Sequence, residues 1–591
     1  MTPRTLNDIF YAIVERGQDR LMLFRQESGW TPIGTREFYR NVAGMARALR
    51  RWGLNQGDRV AILSENRPEW TVADFASLLL GLVVVPIYST LTAAQTGYIL
   101  CDSGTKVAVV STQLQLEKIL SIKDQTALER VVVMDSLSSA HAHAMRRLMH
   151  EGPSDRDPEL DARARSIVEH DLASIIYTSG TTGTSKGVQL THRNLTSNLL
   201  NSLKGFDIGP GDISVSFLPL SHVTARHADF ALLYRGVTLA YCPFFEQLPQ
   251  TLLEVMPTIF VGVPRVYEKI FSQVEQQANR FAKRAIYDWA LSVGRAHGSK
   301  ILTGKRPKAL TWKLANRLVY SQVRARLGGR VATFVSGGAP LGKDLAAWYA
   351  SIGIRIHEGY GLTETSPVIA INTPGAHKIG TVGRPLANVE VRIAEDSEIL
   401  VRGPSIFSGY WNRPTETENA FINGWFKTGD IGVLDEDGFL SVTDRKKDLL
   451  KTSGGKFIAP QPIENSIKLH ALIGTAVVLG DRRKFASVII SPHFPLLEEW
   501  AQANEVSFSS RKELIANPRV KAVYENIVAE VNRGLARYET LKKILLIPEE
   551  FSANDGTLTP TFKLRRRAIE ERYRKEIDDL YREAEAVPTI I

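Results

Sequence analysis

Cysteine is nearly absent: Cys101 and Cys242 are the two in 591 residues. That excludes a disulfide scaffold and a cysteine-based zinc site, and it suits a reducing cytoplasm. Long apolar runs are missing too. The longest, FASLLLGLVVVPIY at residues 75–88, is too short to span a bilayer and contains Pro86; it predicts a buried helix followed by a strand. The first ten residues carry no apolar core of a secretory signal, so none is expected. Acidic residues are scarce in one place. Between positions 271 and 330 there are thirteen Lys or Arg against Glu275 and Asp288, a local charge of +11 in a chain whose total is +10. So local an excess points to an anionic partner: a membrane surface, the phosphates of a ligand such as coenzyme A, or nucleic acid. Few surface-type aromatics accompany it, which argues against nucleic acid.

Short Val/Ile-rich runs at 59–63, 106–110 and 131–134 read as buried parallel strands, with helical stretches such as 35–52 between them. The fold class is therefore α/β, with a large N-terminal domain built on parallel-type sheets. Residues 136–166 read as a polar surface excursion with little core, its His141, His143 and His150 solvated. The basic stretch 271–330 reads as a helical hairpin, with Phe271, Val274, Phe281, Ile286, Trp289 and Leu291 on its apolar face and a loop at 298–310. After Gly380 short strands and tight turns predict a β-rich subdomain. A highly charged stretch at 444–448 then marks a boundary before a small α+β tail with strands near 474–479 and 486–491. The expected organisation is an N-terminal domain 1–444, a hinge 445–448 and a mobile C-terminal domain 449–591.

The strongest local signal is an unbroken run of Thr, Ser, Gly and Lys, TSGTTGTSKG at 178–187, after an apolar strand. Glycines allow close backbone approach, hydroxyls and bare N–H groups donate to phosphate oxygens, and Lys186 adds a charge. The spacing is neither that of a Walker loop nor G-x-G-x-x-G. The run sits between a buried strand and an amphipathic stretch, where a flexible linker is out of place, and it reads as a phosphate loop.

Six further motifs follow in order: LPLSH (218–222), SGGAPL (336–341), GYGLTET (359–365), GWFKTGD (424–430), DRKKDLLKTSGGKFIAP (444–460) and DGTLTPTFKLRR (555–566). With the loop, these resemble the adenylate-forming superfamily over nearly the whole chain. VPRVYEKI at 263–270, the basic insertion and LTPTFKLRR are most similar to long-chain fatty acyl-CoA synthetases. The resemblance implies ATP-dependent adenylation of a carboxylic acid, a long-chain fatty acid, followed by transfer to coenzyme A. The alternatives within the superfamily are a medium-chain or aryl acid–CoA ligase and a fatty acyl-AMP ligase serving a carrier protein; outside it stands a non-catalytic nucleotide- or membrane-binding protein.

Residue roles are carried over by the same resemblance. Thr178, Ser179, Gly180, Thr181, Thr182, Gly183, Thr184 and Lys186 would hold the β- and γ-phosphates. Glu364 would bind Mg²⁺, and Thr363 would donate to the α-phosphate. Tyr360 and Gly361, with Gly337, Gly338 and Ala339, would enclose the adenine. Asp430 would accept both ribose hydroxyls, with Arg445 nearby. Lys563 would bridge the attacking carboxylate and the α-phosphate. Lys447 would be the pivot that brings Ser453, Gly454, Gly455 and Lys456 to coenzyme A, and His222 would gate or position at the junction of acyl pocket and thiol tunnel. Two departures stand out: many relatives carry arginine where Lys456 falls, and Val-Phe-Glu-Arg where this chain has Val-Thr-Ala-Arg226. Peripheral attachment to the inner face of an anionic membrane fits the basic segment, and a homodimer is compatible with the sequence.

Overall fold

The computed structural model describes residues 2–137, 139–178, 185–278, 281–305, 307–453, 456–552, 555–558 and 564–586. Two large sheets carry the N-terminal part. One has seven strands in the order His143–Ala144, Arg130–Val133, Val107–Val110, Arg59–Leu63, Val83–Ile87, Leu172–Thr178 and Lys186–Thr191. All neighbours are parallel except the last pair. The Val/Ile-rich strands are buried on both faces, as parallel strands between helical layers must be. The other sheet has nine strands and a parallel centre that includes Ile213–Ser216, Ile259–Gly262, Thr333–Ser336 and Ile356–Gly361. A five-stranded antiparallel sheet, containing Glu398–Arg402, Trp425–Leu434 and Leu440–Arg445, forms the expected β-rich part. A separate apolar core begins at Leu450 and gathers Ile463, Ile467, Val488 and Tyr524. It lies against a three-stranded sheet, Ile473–Leu479, Ala486–Pro492 and Leu541–Leu546. The layering is α/β with a smaller second unit, as the sequence predicts.

Two expectations are corrected. Residues 136–166 are not a coreless excursion. His143–Ala144 adds an edge strand, and helices Met145–His150 and Pro158–Ser166 bury Met145, Leu148, Leu160 and Ala164. Asp157 caps the second helix by accepting from the backbone N–H of Glu159 and Leu160, both at 3.1 Å, and pairs with Arg47. The apolar residues are few and spread over short helices, so their period is weak in the sequence.

The basic stretch is helical, but its inward face differs from the predicted one. Tyr287, Ala290 and Leu291 point inward, whereas Ile286 and Trp289 are exposed; the side chain of Phe281 lies outside the described residues. Tyr287 replaces the expected aliphatic because its hydroxyl is satisfied: it donates to Glu275 at 2.6 Å and accepts from the Trp348 indole at 2.8 Å. The predicted loop at 298–310 contains a short helix, Gly298–Leu302, which buries Ile301.

Candidate functional site

The ends of strands from three sheets meet at the motif residues. The strand Leu172–Thr178 turns back antiparallel into Lys186–Thr191, so Thr178 pairs with Lys186 across the mouth of a hairpin. The loop therefore opens from a β-hairpin, and a capping box at Thr191 and Asn194 then starts the helix His192–Ser202. Ser179, Gly180, Thr181, Thr182, Gly183 and Thr184 lie outside the described residues. The back of the hairpin is clasped by residues 409–411, since the Gln189 N–H donates to Gly409 and the Trp411 N–H to Gly187. Gly187 is required here: a β-carbon would come within 2.6 Å of Ile175 and 3.2 Å of both Tyr177 and Trp411.

Tyr410, on that clasp, was not singled out by sequence reasoning. Its ring lies 5.4 Å from the Lys186 ammonium, and its hydroxyl donates to Glu364 at 2.9 Å. The tyrosine thus joins the loop lysine to the Thr363–Thr365 turn. Thr363 is buried in that turn and Glu364 is half-buried. Desolvation pushes the Glu364 carboxyl above its usual range, so a cation beside it would be favoured. Among the described residues no group of three or more His, Cys, Asp or Glu forms a metal cage. One carboxylate beside a Gly/Ser/Thr-rich loop is nonetheless a donor set that suits Mg²⁺, which keeps waters and takes ligand oxygens.

The second group of residues sits on neighbouring strands. Ile356–Gly361 runs parallel to Thr333–Ser336, pairing Ser336 with Glu358, which carries Gly337, Gly338 and Ala339 alongside Gly359 to Gly361. A β-carbon on Gly361 would stand 1.8 Å from the Pro367 carbonyl oxygen, so only glycine fits. The Tyr360 hydroxyl donates to Asp430 at 2.7 Å, and Arg445 approaches Asp430 at 3.5 Å. Asp430 and Arg445 are cross-strand partners in the five-stranded sheet. Glu358, another residue the motifs did not flag, is buried. Its carboxylate accepts from Leu341 N–H at 3.3 Å, and desolvation pushes it up to about 7.

LPLSH is held from behind. Asn66 donates to the Leu218 carbonyl at 2.7 Å and accepts from Leu220 N–H at 3.2 Å. His222 is the N-cap of helix Val223–Arg235, its Nδ1 accepting from Thr224 N–H at 3.2 Å. Arg226 on that helix does not face an open pocket. It is 2% exposed, forms a two-pronged pair with Asp74 at 2.5 and 2.7 Å, and donates to Ser174 at 2.8 Å.

Beyond Arg445 the chain crosses to the second unit. Lys446 pairs with Asp396 and Glu398 at 2.5 and 2.8 Å, while Lys447 is exposed. Asp444 is buried at the crossing. It accepts from the N–H groups of Arg445 and of Gln461, the latter in the first turn of helix Pro460–Lys468, and burial pushes it up to about 6. Ser453 and Lys456 lie on the exposed turn of the hairpin Leu450–Lys451 and Phe457–Ile458. Gly454, Gly455 and Lys563 lie outside the described residues.

A carboxylate and an arginine at one end, and a lysine, a tyrosine and a second carboxylate at the other, can take the two ends of a nucleoside triphosphate. That arrangement, on two large α/β sheets joined to a β-rich sheet, defines a nucleotide-using enzyme. The chain belongs to the AMP-binding enzyme family, whose profile matches residues 10–411; that of the AMP-binding enzyme C-terminal domain matches residues 447–585. Long-chain-fatty-acid–CoA ligase FadD15 of Mycobacterium tuberculosis is 37% identical over 567 residues, covering 93% of this chain and 92% of that protein. Human long-chain-fatty-acid–CoA ligase ACSBG1 is 32% identical, covering 98% of this chain and 86% of its own length. Among solved structures, the anthranilate CoA ligase AuaEII in complex with anthranoyl-AMP superposes with a TM-score of 0.75 at 19% identity, covering 98% of each chain. That likeness is one of fold.

Proposed function

We infer that this protein is an ATP-dependent, AMP-forming acyl-CoA ligase acting on long-chain fatty acids. The observation that carries the reading is the joint placement of Tyr360–Asp430–Arg445 and Lys186–Tyr410–Glu364 at the meeting of three sheets. The long-chain relatives, similar over almost the whole chain, support the substrate class.

In the first step a fatty carboxylate oxygen attacks the α-phosphorus of ATP, and pyrophosphate leaves with the electron pair of the broken P–O bond. The carboxylate is ionised at neutral pH, so no general base is needed. The obstacle is repulsion between anions, and positioned cations and donors lower it. In this reading the 178–187 loop with Lys186 holds the β- and γ-phosphates, and Thr363 donates to the α-phosphate. Tyr360 stacks on the adenine against Gly337–Ala339, and Asp430 accepts the ribose hydroxyls, with Arg445 beside it. Glu364 would hold Mg²⁺, which would neutralise phosphate charge. Lys563 would bridge carboxylate and α-phosphate.

In the second step the coenzyme A thiolate attacks the acyl carbonyl and AMP departs. The second unit, residues 449–591, pivots at 445–448 about Lys447 and brings Ser453 to Lys456 to the thiol side. Lys446, already paired to Asp396 and Glu398, would keep the fixed side of the pivot anchored. His222, which caps its helix, positions rather than transfers protons.

Peripheral contact with the inner face of a membrane, from the cytoplasmic side, and a homodimer belong to the same proposal. Among the described residues no helix is long and apolar enough to cross a membrane. The test is pyrophosphate release over a ladder of acids with and without coenzyme A. Release peaking on long-chain acids, with thioester appearing only when coenzyme A is present, is the expected result. A peak on aromatic or short acids would overturn the substrate class.

A further inference from the structure

Helix Ala93–Ser103 carries no motif, yet it holds both described ends of the 178–187 segment. Tyr98 and Asp102 lie four residues apart, so they share one face of that helix. The Tyr98 hydroxyl donates to the Ser185 carbonyl at 2.9 Å, one residue before Lys186. The Asp102 carboxylate accepts from the Tyr177 hydroxyl at 2.6 Å, one residue before Thr178. Thr178 and Lys186 are the pair that closes the hairpin mouth. One helix face thus grips each stem beside that pair.

Arg413 ties the two grips together. Its guanidinium donates to the Tyr98 hydroxyl at 3.1 Å and to the Asp102 carboxylate at 3.2 Å. It also donates to the Asn412 carbonyl at 3.0 Å and approaches Glu416 at 3.9 Å. Arg413 follows the clasp that carries Tyr410, whose ring lies against the Lys186 ammonium. The Trp411 indole and the Asn412 amide donate to the backbone carbonyl of Asp102, at 2.9 and 3.3 Å. Asp102 is therefore held by three consecutive residues, Trp411, Asn412 and Arg413. Helix physics does not account for an acid there. Asp102 stands in the last turn, where a carboxylate opposes the helix dipole and a cation is favoured. Its side chain is 12% exposed, and charge-assisted bonds from Arg413 and Tyr177 satisfy it.

We infer that Asp102, Arg413 and Tyr98 are positioning residues for Lys186. They fix Thr178 and Lys186 through their chain neighbours, so the ammonium is held against Tyr410 before ATP arrives and loses no time to reorganisation. The assignment rests on the ligase reading, in which Lys186 meets the β- and γ-phosphates. It adds a consequence: the network serves only ligands and steps in which those phosphates are present. AMP and acyl-AMP lack them. A network that merely stabilised the fold would serve every ligand and both half-reactions alike.

The test uses the full chain with Asp102→Asn, Arg413→Gln, their combination, and Tyr98→Phe. ATP and AMP are titrated by calorimetry without acid substrate. Pyrophosphate release is timed, and so, separately, is thioester formation from supplied acyl-AMP and coenzyme A. The two charge variants should weaken ATP binding and slow pyrophosphate release by about 10–100-fold, since a misplacement of about 1 Å costs up to about 100-fold. AMP binding and thioester formation should stay those of the wild type. The combined variant should be little worse than either single one, because residues in one network do not add. Tyr98→Phe deletes one hydroxyl and keeps the edge-on contact with the Tyr177 ring. It should show a smaller defect of the same pattern, and it carries the test if a charge variant fails to fold. Unchanged ATP binding in every variant would overturn the assignment. So would AMP binding or thioester formation falling in step with ATP, or losses that add in the combined variant. A wild-type chain that binds neither nucleotide would remove the ligase reading itself, and this assignment with it.

Discussion

Replacing Arg226 by alanine removes one half of a pair that is almost wholly out of water: side-chain exposure is 2% for Arg226 and 0% for Asp74. Burial pushes the Asp74 carboxyl up, and the arginine is what opposes it. Without the guanidinium, Asp74 is a buried uncompensated charge, and the cost is about 3–5 kcal/mol at neutral pH. The pair also joins three elements. Arg226 stands on the helix capped by His222, Asp74 on helix Pro68–Leu79, and Ser174, which Arg226 also holds, on the strand leading into the 178–187 loop. The effect should therefore reach ATP binding. Arg226→Met/Asp74→Leu, which removes both charges and keeps the volume, should recover most of the loss, because hydrophobic replacement of a buried pair is often neutral or better. The sign with pH is fixed. With its pKa raised in the folded state, Asp74 gives stability that is full below its unfolded value near 4 and lost as pH rises. The alanine variant should therefore be closest to wild type in acid and furthest from it at neutral pH. Thermal melts of the single and double variants across that range decide it. An alanine variant as stable as wild type, or a double variant no better than the single, would refute the reasoning.

Asp430→Asn should raise the KM for ATP by about 10–100-fold with a smaller change in kcat, since charge-assisted hydrogen bonds are worth about 1.5–3 kcal/mol; steady-state kinetics with varied ATP measures it. Lys563→Ala should nearly abolish adenylation yet largely keep thioester formation from supplied acyl-AMP, and equal loss of both would refute the two-state assignment of the second unit. Asp229 is buried, accepts a hydrogen bond from Ser216 at 2.7 Å, and is pushed up to about 7 by desolvation. Its stabilising protonation is complete below about pH 4 and lost as pH rises through 7, a change of about 4 kcal/mol. Asp229→Asn should remove that slope, so the difference between the two melting curves should widen from about pH 4 to about pH 7 and level off above it.

Much of the fold was legible because its signals are local. Arg59–Leu63, Val107–Val110 and Arg130–Val133 are short β-branched runs, and each is a strand of the parallel sheet. The hairpin bearing the 178–187 loop was not legible, because the partner strand Lys186–Thr191 begins inside the motif and carries the polar residues Gln189 and Thr191. Tyr410 was missed for a related reason. Nothing in Gly409-Tyr410-Trp411 signals chemistry, and its position between Lys186 and Glu364 exists only once this segment pairs with a strand more than two hundred residues earlier. Arg226 ends the Val-Thr-Ala-Arg stretch whose Thr224 and Ala225 read as a departure near the acyl pocket, whereas its partner Asp74 lies in a helix with no motif at all. The exposure of Leu310, Leu314 and Leu318 was hidden by their hydrophobicity, which in a sequence reads as core; only the structure separates them from Trp312 and Tyr320.

The central claim is adenylation followed by thioester formation on one chain, and a single-turnover experiment tests it most directly. Enzyme is mixed with radiolabelled ATP and palmitate and then chased with coenzyme A, and samples taken before and after the chase are quenched in acid. The account predicts one equivalent of palmitoyl-AMP with pyrophosphate released before the chase, and its conversion to palmitoyl-CoA and AMP after it. Release of ADP and phosphate, or a thioester formed without prior palmitoyl-AMP, would contradict it.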